Sequence, residues 1–310
     1  MVLSSVDKQQ VLKLDLTDKK LLFYLSQDSR WKRKALGKKL HLSVPNLNYR
    51  IERLIKNEVI EPVLILNIPH FGLKSYILLV DRLNEKIENN DSIYFLCQTV
   101  GKYNYVLHVV TENLDQFLLE NLSNSKFEIY ELIKYFPDNY NPFSLNIKPL
   151  PNKRPNLLKL DKKDYQLLVY LCSNPLASIL KISSDIGLDR QTIKKKISNL
   201  IDNNYIQKFR YILNIFRLGF SAYFIKIDST PNEKEKIINH VRMDNYAGFI
   251  FESYISIILW YIPPSHRELL SFIESIEKLS VNIKIEVIQI AEIVKLTFLP
   301  QRIIDYFREK

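Results

Sequence analysis

Residues 12–81 of this chain recur at residues 158–228, so any fold it adopts must house one pattern twice. The first copy opens Leu12-Lys13-Leu14-Asp15 and the second Leu158-Lys159-Leu160-Asp161, an offset of 146 residues. That offset holds through Asp18/Asp164, Leu21/Leu167, Tyr24/Tyr170, Leu47/Ile193, Ile51/Ile197, Leu54/Leu200 and Ile60/Ile206. One inserted residue then moves it to 147, where Gly72, Tyr76 and Asp81 match Gly219, Tyr223 and Asp228.

Apolar residues three and four apart predict three helices in each copy. In the first they span 16–26, with Thr17 as the cap, then 31–40, then 44–56 behind Ser43, with Asn57 as the left-handed residue at its end. In the second they span 163–172, 177–186 and 190–202, the last behind Asp189. Two short helices, a turn and a third helix with a polar outer face make a helix-turn-helix, and residues 59–68 read as a wing and first strand.

Period-2 alternation then predicts strands at 75–80, 92–98, 103–110 and 127–133, and again at 222–227, 247–252, 255–261 and 283–288. Helical stretches follow Asp81 and Asp228 and recur at 113–122 and 265–279, an order of β-α-β-β-α-β. The expected fold class is α+β, two winged helix-turn-helix domains (12–62 and 158–210) alternating with two ferredoxin-like domains (63–147 and 211–300). Residues 148–157, rich in proline, read as the linker, and the tail 301–310 as a short helix on the second ferredoxin-like unit. A ten-residue linker spans at most ~35 Å, so the two ferredoxin-like modules are expected to pack sheet against sheet as an intramolecular pseudo-dimer, with 101–110 and 254–261 near the contact.

Charge follows the repeat. Residues 13–62 carry 12 Lys/Arg against 6 Asp/Glu, and residues 159–210 carry 10 against 5; the rest of the chain is close to neutral, although the total is +10. Positive charge confined to two repeated segments implies a polyanion that both touch. No apolar run approaches the ~20 residues that cross a bilayer, and the first residues lack a signal peptide's apolar core, so the cytoplasm, with nucleoid association, is expected. Cys97 and Cys172 read as buried small hydrophobes, and the five scattered histidines show no metal-ligand spacing. Trp31 is expected on an exposed flank of the second helix and Trp260 in a sheet.

These residues resemble the leucine-responsive regulatory protein family, Lrp/AsnC. Its Leu-Asp-x-x-Asp opening is Leu14-Asp15…Asp18 and Leu160-Asp161…Asp164 here. Its Arg-Ile-x-x-Leu-x-x-x-Gly-x-Ile run is matched from Arg50 to Ile60, and from Lys196 to Ile206, with Glu58 and Asn204 at the glycine. The resemblance implies a helix-turn-helix joined to a ferredoxin-like module that binds small effectors, often amino acids. The family's Gly-Asp-Tyr-Asp-like effector turn is Gly101-Lys102-Tyr103-Asn104 in one copy and Glu252-Ser253-Tyr254-Ile255 in the other. Candidate effector residues are therefore Gly101, Tyr103, Asn104 and Tyr254, for an effector of unspecified identity, with common amino acids disfavoured. Family members pair through this module; the present chain reads as such a dimer in one polypeptide, with further self-association left open.

The third helix of each copy is expected in the major groove of double-stranded DNA. Ser43, Pro45, Asn46, Asn48 and Tyr49 present amides and a ring suited to adenine and thymine. Arg190, Gln191, Thr192, Lys194 and Lys195 suit guanine, adenine and phosphate. Arg50 and Arg53 are expected to anchor the DNA backbone, as are Arg30, Lys32 and Arg33 leading into the second helix. Two unlike surfaces predict an imperfect palindrome or two unlike half-sites.

A sequence-specific transcriptional regulator is the reading these features favour, with no cofactor and no enzyme activity. Non-specific, chromatin-like packing of DNA is one alternative. Another is a siroheme decarboxylase, because those enzymes resemble the same two-module architecture and use His and Arg in a pocket between ferredoxin-like modules. His108 and Arg217 are the nearest candidates, and Leu259 is the repeat partner of His108 in sequence.

Overall fold

In the computed structural model, which describes residues 12–84, 87–136, 143, 159–297 and 301–309, the chain forms two compact units, each built from both repeats. The linker expected at 148–157 lies outside the described residues.

Among the described residues, the helix-turn-helix unit takes 12–72, 159–214 and 301–309. Its first copy contains α1 (Leu16–Gln27), α2 (Arg33–Leu40), α3 (Val44–Lys56) and strand β1 (Ile60–Leu66). Asp15, not Thr17, caps α1: its carboxylate accepts from Asp18 N at 2.7 Å, while the Asp18 carboxylate accepts from Asp15 N at 3.3 Å. Two carboxylate–amide bonds satisfy orphan donors of the first turn, which a lone threonine hydroxyl cannot. α2 starts at Arg33 rather than at residue 31, because Lys32 is extended. Asn57 is not left-handed; Glu58 is, at φ 55°, and Asn204 repeats it at φ 58°.

The nine-stranded sheet of the other unit, which takes the described residues within 73–143 and 215–297, begins with β2 (Ser75–Val80), β3 (Ile93–Val100), β4 (Tyr105–Val110), α4 (Leu114–Leu122), β5 (Phe127–Glu131) and β6 (Lys134–Phe136). The helical stretch expected after Asp81 is reduced, among the described residues, to one turn at Ile87–Asn89.

The second helix-turn-helix repeats the first at an offset of 146: α5 (Lys162–Ser173), α6 (Ile179–Ile186), α7 (Arg190–Asp202) and β7 (Ile206–Leu213). β1 and β7 pair antiparallel from Ile60↔Leu213, so one ribbon joins the two helix-turn-helix domains. α1 packs on β7 and α5 on β1, each on the other copy's strand.

The second half of the sheet unit follows as β8 (Ala222–Asp228), α8 (Pro231–Met243), β9 (Ala247–Glu252), β10 (Ser256–Tyr261), α9 (His266–Glu277) and β11 (Lys284–Leu296). The strand order is β5-β2-β4-β3-β11-β8-β10-β9-β6. β11 is twice the expected length. Its first half pairs with β8 and its second with β3 of the other copy. β5 and β6 do the same in two pieces, β5 on β2 and β6 on β9.

The sheet also folds over on itself. β4 and β9 are five strands apart, ~24 Å in a flat sheet. Yet the His108 ring of β4 lies 5.5 Å from Phe251 of β9. Outward-facing Leu78, Leu107 and Val109 pack with Phe117 of α4, and Ile225 and Ile227 with α8 and α9. Inward-facing Phe95, Phe224 and Trp260 meet at centroid separations of 5.1–6.0 Å.

The C-terminal helix α10 (Gln301–Glu309) belongs to the helix-turn-helix unit rather than to the second ferredoxin-like module. Ile303 and Phe307, four residues apart, bury one stripe against the helix-turn-helix unit. Phe307 meets Tyr165 of α5 and Phe71, and the Tyr306 hydroxyl donates to Phe71 O at 2.8 Å.

Candidate nucleic-acid interface

α3 owes its outward face to its inward one. Leu47, Ile51 and Leu54 are buried at spacings of four and three, and Ile193, Ile197 and Leu200 repeat this in α7. Ser43, Pro45, Asn46 and Tyr49 are then exposed and Asn48 is half-buried, while in α7 Arg190, Gln191, Lys194 and Lys195 are exposed and Thr192 is half-buried. Ser43 Oγ accepts from Asn46 N at 3.4 Å, and Asp189 accepts from Gln191 N and Thr192 N at 2.9 Å each. Both helices thus begin with a fixed N-terminal turn, the part that reaches base edges in this motif. Their chemistry differs: the first turns of α3 offer amides and a phenol, those of α7 an arginine and two lysines.

The arginines later in α3 are engaged within the domain. Arg50 donates to Asp15 at 2.8 Å and to Asp18 at 2.7 Å, and Arg53 to Asp18 at 2.5 Å. Lys196 repeats this with Asp161 at 2.8 Å and Asp164 at 2.9 Å. The hydrogen bond to Asp15 leads in raising the Arg50 pKa. Burial pushes the Asp15 carboxyl up, but the Asp18 amide and Arg50 outweigh it and hold it below the ordinary value. Lys196 is the main reason that Asp161 is lowered in the same sense.

Arg30 also turns inward. Its guanidinium lies 3.7 Å from the Phe209 ring centroid and its Nε donates to Pro175 O at 3.2 Å, which ties the first helix-turn-helix to the second. Burial lowers its pKa. Lys32 is exposed and Arg33 half-buried at the start of α2. Trp31 is not an exposed flank; it is half-buried against Tyr24.

The effector candidates sit on two turns of the sheet unit. Gly101, at φ 138°, begins the β3–β4 turn, where Tyr103 is buried and the Asn104 side chain donates to Asp81 O at 2.8 Å. Tyr254 is 67% exposed on the β9–β10 turn. Sequence reasoning missed the charged cluster beside the first turn. Lys226, 5% exposed on the sheet's inner face, meets Glu128 at 3.0 Å, Glu286 at 3.1 Å and the Tyr130 hydroxyl at 3.0 Å, and Glu128 also meets Lys102 at 2.9 Å. Its only sequence signal is a lysine at an inward position of an apolar strand.

His108 is 6% exposed among Tyr94, Phe95 and Phe251, and neither ring nitrogen has a hydrogen-bond partner among the described residues. Burial lowers its pKa to about 3. Its counterpart is Trp260 rather than Leu259: His108 faces Ile77 and Trp260 faces Phe224, and the latter two residues match at the 147 offset. Arg217 lies in the turn before β8. Among the described residues, no group of His, Cys, Asp and Glu is arranged to hold a metal ion, and no helix is long and apolar enough to cross a membrane.

Comparison with known proteins follows the same division. A winged helix-turn-helix DNA-binding family matches residues 14–61 and again 160–207. An uncharacterized HTH-type transcriptional regulator of Pyrococcus abyssi is 28% identical over 142 residues, which is 96% of that protein but 44% of this chain. A counterpart from Pyrococcus horikoshii is 26% identical over the same length. The chain carries the winged helix-turn-helix DNA-binding segment twice, once in each half. A whole single-module relative aligns with under half of it, and the DNA-binding family matches once per half.

The crystal structure of the siroheme decarboxylase NirDL superposes with a TM-score of 0.61 at 11% identity, covering 94% of this chain and 97% of that one. The same enzyme with an iron-uroporphyrin III analogue gives 0.59. This corrects the expectation that such a chain has no enzyme activity. The duplicated fold is one on which a decarboxylase is built, so the presence of helix-turn-helix domains does not exclude catalysis.

Proposed function

We propose that the fused chain is a transcriptional regulator that binds duplex DNA sequence-specifically, as an intramolecular pair. The observation carrying this reading is that α3 and α7 share backbone geometry while exposing unlike chemistry at the same turns. Asn46 and Asn48 suit adenine, and Tyr49 a thymine methyl or a phosphate; Arg190 suits guanine, Gln191 adenine, and Lys194 and Lys195 phosphate. One polypeptide then reads two different half-sites in fixed order, which a homodimer cannot do. The turns bearing Gly101, Tyr103, Asn104 and Tyr254 are the proposed sensor, for a small effector. Selection of bound duplexes from a random pool tests the reading. The expected result is a motif of two dissimilar halves; recovery of a perfect palindrome, or of no motif as for a non-specific packing protein, overturns it.

A second reading concerns the sheet unit alone, and the shared fold with NirDL together with buried His108 favours it. In that reading the unit acts on a tetrapyrrole carboxylate, with His108 at the reacting face. Anaerobic incubation with siroheme, followed by mass analysis for loss of carbon dioxide in wild type but not in His108→Ala, decides it. The DNA-binding surface and His108 lie in different units, so DNA binding and decarboxylation can be tested separately.

A further inference from the structure

The two helix-turn-helix domains differ at a place that the reading helices do not explain. In the first copy the Trp31 ring lies edge to face on Tyr24, with centroids 5.9 Å apart. Lys39 Nζ sits 4.7 Å from the Tyr24 centroid and 5.4 Å from that of Trp31, so a cation closes the stack. Because α2 and α6 have equal length and start at the same offset, the residues compare one to one. Tyr24 becomes Tyr170, Trp31 becomes Ala177 and Lys39 becomes Asp185.

A methyl group thus stands where the first copy places an indole. The second copy has an open groove there, of about 360 Å³, lined in part by Pro62, Tyr170, Asn174, Pro175, Ala177 and Asp185. A further hollow of about 560 Å³ shares Tyr170, Asn174 and Asp185 and reaches Phe307 of α10. The charge has also changed, from the Lys39 cation to a pair of Asp185 with Lys181, which also lines the groove. Asp185 accepts from the Tyr170 hydroxyl at 2.6 Å and meets Lys181 at 3.0 Å. The Tyr170 bond first, then Lys181, holds its carboxyl at about 2. Ser184 Oγ donates to the same carboxylate at 2.8 Å. A carboxylate has about four lone-pair sites, so about one acceptor position remains beyond these three bonds.

We infer that this groove binds a planar aromatic ring carrying an N–H or ammonium donor. The ring takes the place of the missing indole beside Tyr170, and the donor faces Asp185. In the first copy the protein supplies both ring and cation; in the second it supplies an aromatic wall and a carboxylate held by Tyr170, Ser184 and Lys181, leaving the ring and one further donor to the ligand. An aromatic acid meets the Asp185 carboxylate at the same point, with the nearby Lys181 already committed to Asp185, and is disfavoured. The inference uses no residue of the proposed base-reading surface, so it stands or falls apart from DNA binding.

Tryptamine is the probe, measured on the full-length chain by isothermal titration and saturation-transfer NMR, with indole-3-acetate as its anionic control. A ligand with about a dozen heavy atoms is expected to bind with a dissociation constant on the order of 1 mM. Tryptamine should bind roughly tenfold more tightly than indole-3-acetate, a charge-assisted preference that Asp185→Asn abolishes. Ala177→Trp, which restores the first copy's residue, should weaken tryptamine roughly tenfold or more while leaving the thermal midpoint unchanged or higher. Ala177→Leu, a smaller filler, gives the same reading if the tryptophan variant loses its fold. Absence of saturable tryptamine binding, equal affinity for the acid, or undiminished binding by a folded Ala177→Trp protein would each overturn the inference.

Discussion

Arg50 and Asp18 form an ion pair 2.7 Å long in which the carboxylate is 1% exposed, and Lys196 and Asp164 repeat it at 2.9 Å. The acidic opening of each repeat and the cation of its third helix are thus two halves of one lock. Asp15 and Asp18 cap α1, and the same carboxylates fix α3 against it. In the first copy the orientation of α3 is thus set in part by Arg50 and Arg53, which the sequence reading assigns to the DNA backbone.

The lock is unequal between copies, and stability should register this. Asp18 holds two arginines, whereas Asp164 holds one lysine. Asp18→Ala strands two partly buried guanidiniums and is expected to cost about 3 kcal/mol; Asp164→Ala, with one more mobile ammonium left, about 1–2 kcal/mol. Urea denaturation at neutral pH measures both. Equal losses would mean that Arg53 adds nothing to the lock.

How far the sequence carries can be seen at particular residues. α3 and α7 were legible to the residue, since Ser43 and Asp189 sit directly before three apolar positions of one helical face. The β11 extension was not, because pairing with a strand nearly 200 residues earlier leaves no local periodicity. Arg30 was misplaced for a related reason. Its Phe209 and Pro175 partners come from the other copy, and a basic run reads the same whether it faces solvent or a ring. Asn57 failed by one position, because the chain turns left-handed one residue later whatever side chain stands there.

That position gives a second prediction. Glu58 holds φ 55° where the resembling family has glycine. A side chain other than glycine costs about 1–2 kcal/mol there, part of which glycine returns through a freer unfolded chain. Glu58→Gly should therefore stabilise the protein by about 0.5 kcal/mol, and Asn204→Gly by close to zero, since asparagine tolerates this conformation. The check is the shift in denaturation midpoint; a Glu58→Gly protein less stable than wild type contradicts it.

His108 makes stability depend on pH. Its folded pKa, about 3, lies below its ordinary value of 6.5, because burial among aromatic rings disfavours the imidazolium. The contribution is complete above pH 6.5 and is lost as pH falls towards 3, at about 1.4 kcal/mol per pH unit. At pH 5 the loss amounts to about 2 kcal/mol. His108→Leu, which cannot protonate, should remove that component, so its stability relative to wild type should rise by about 2 kcal/mol between pH 7.5 and pH 5. An identical pH slope in the two proteins would show that the ring is hydrated in solution.

The last prediction concerns which cations meet DNA. Arg50 and Arg53 are committed to Asp15 and Asp18, whereas Arg190, Lys194 and Lys195 are exposed on the first turns of α7. Each phosphate contact contributes about 0.9 to the slope of log affinity against log salt. Replacing Arg190, Lys194 and Lys195 together by alanine should flatten that slope by up to about 2.7, and loss of Arg190 should also relax the preference at one half-site. Arg50→Ala with Arg53→Ala should lower stability while changing the slope by less than about 1 in whatever fraction remains folded. Titration of a selected duplex with salt from about 50 to 200 mM resolves these slopes, and circular dichroism reports the folded fraction. The opposite pattern, a flattened slope in the folded double-arginine protein and an unchanged one in the triple variant, would place the phosphate contacts on α3 and remove α7 from the proposed interface.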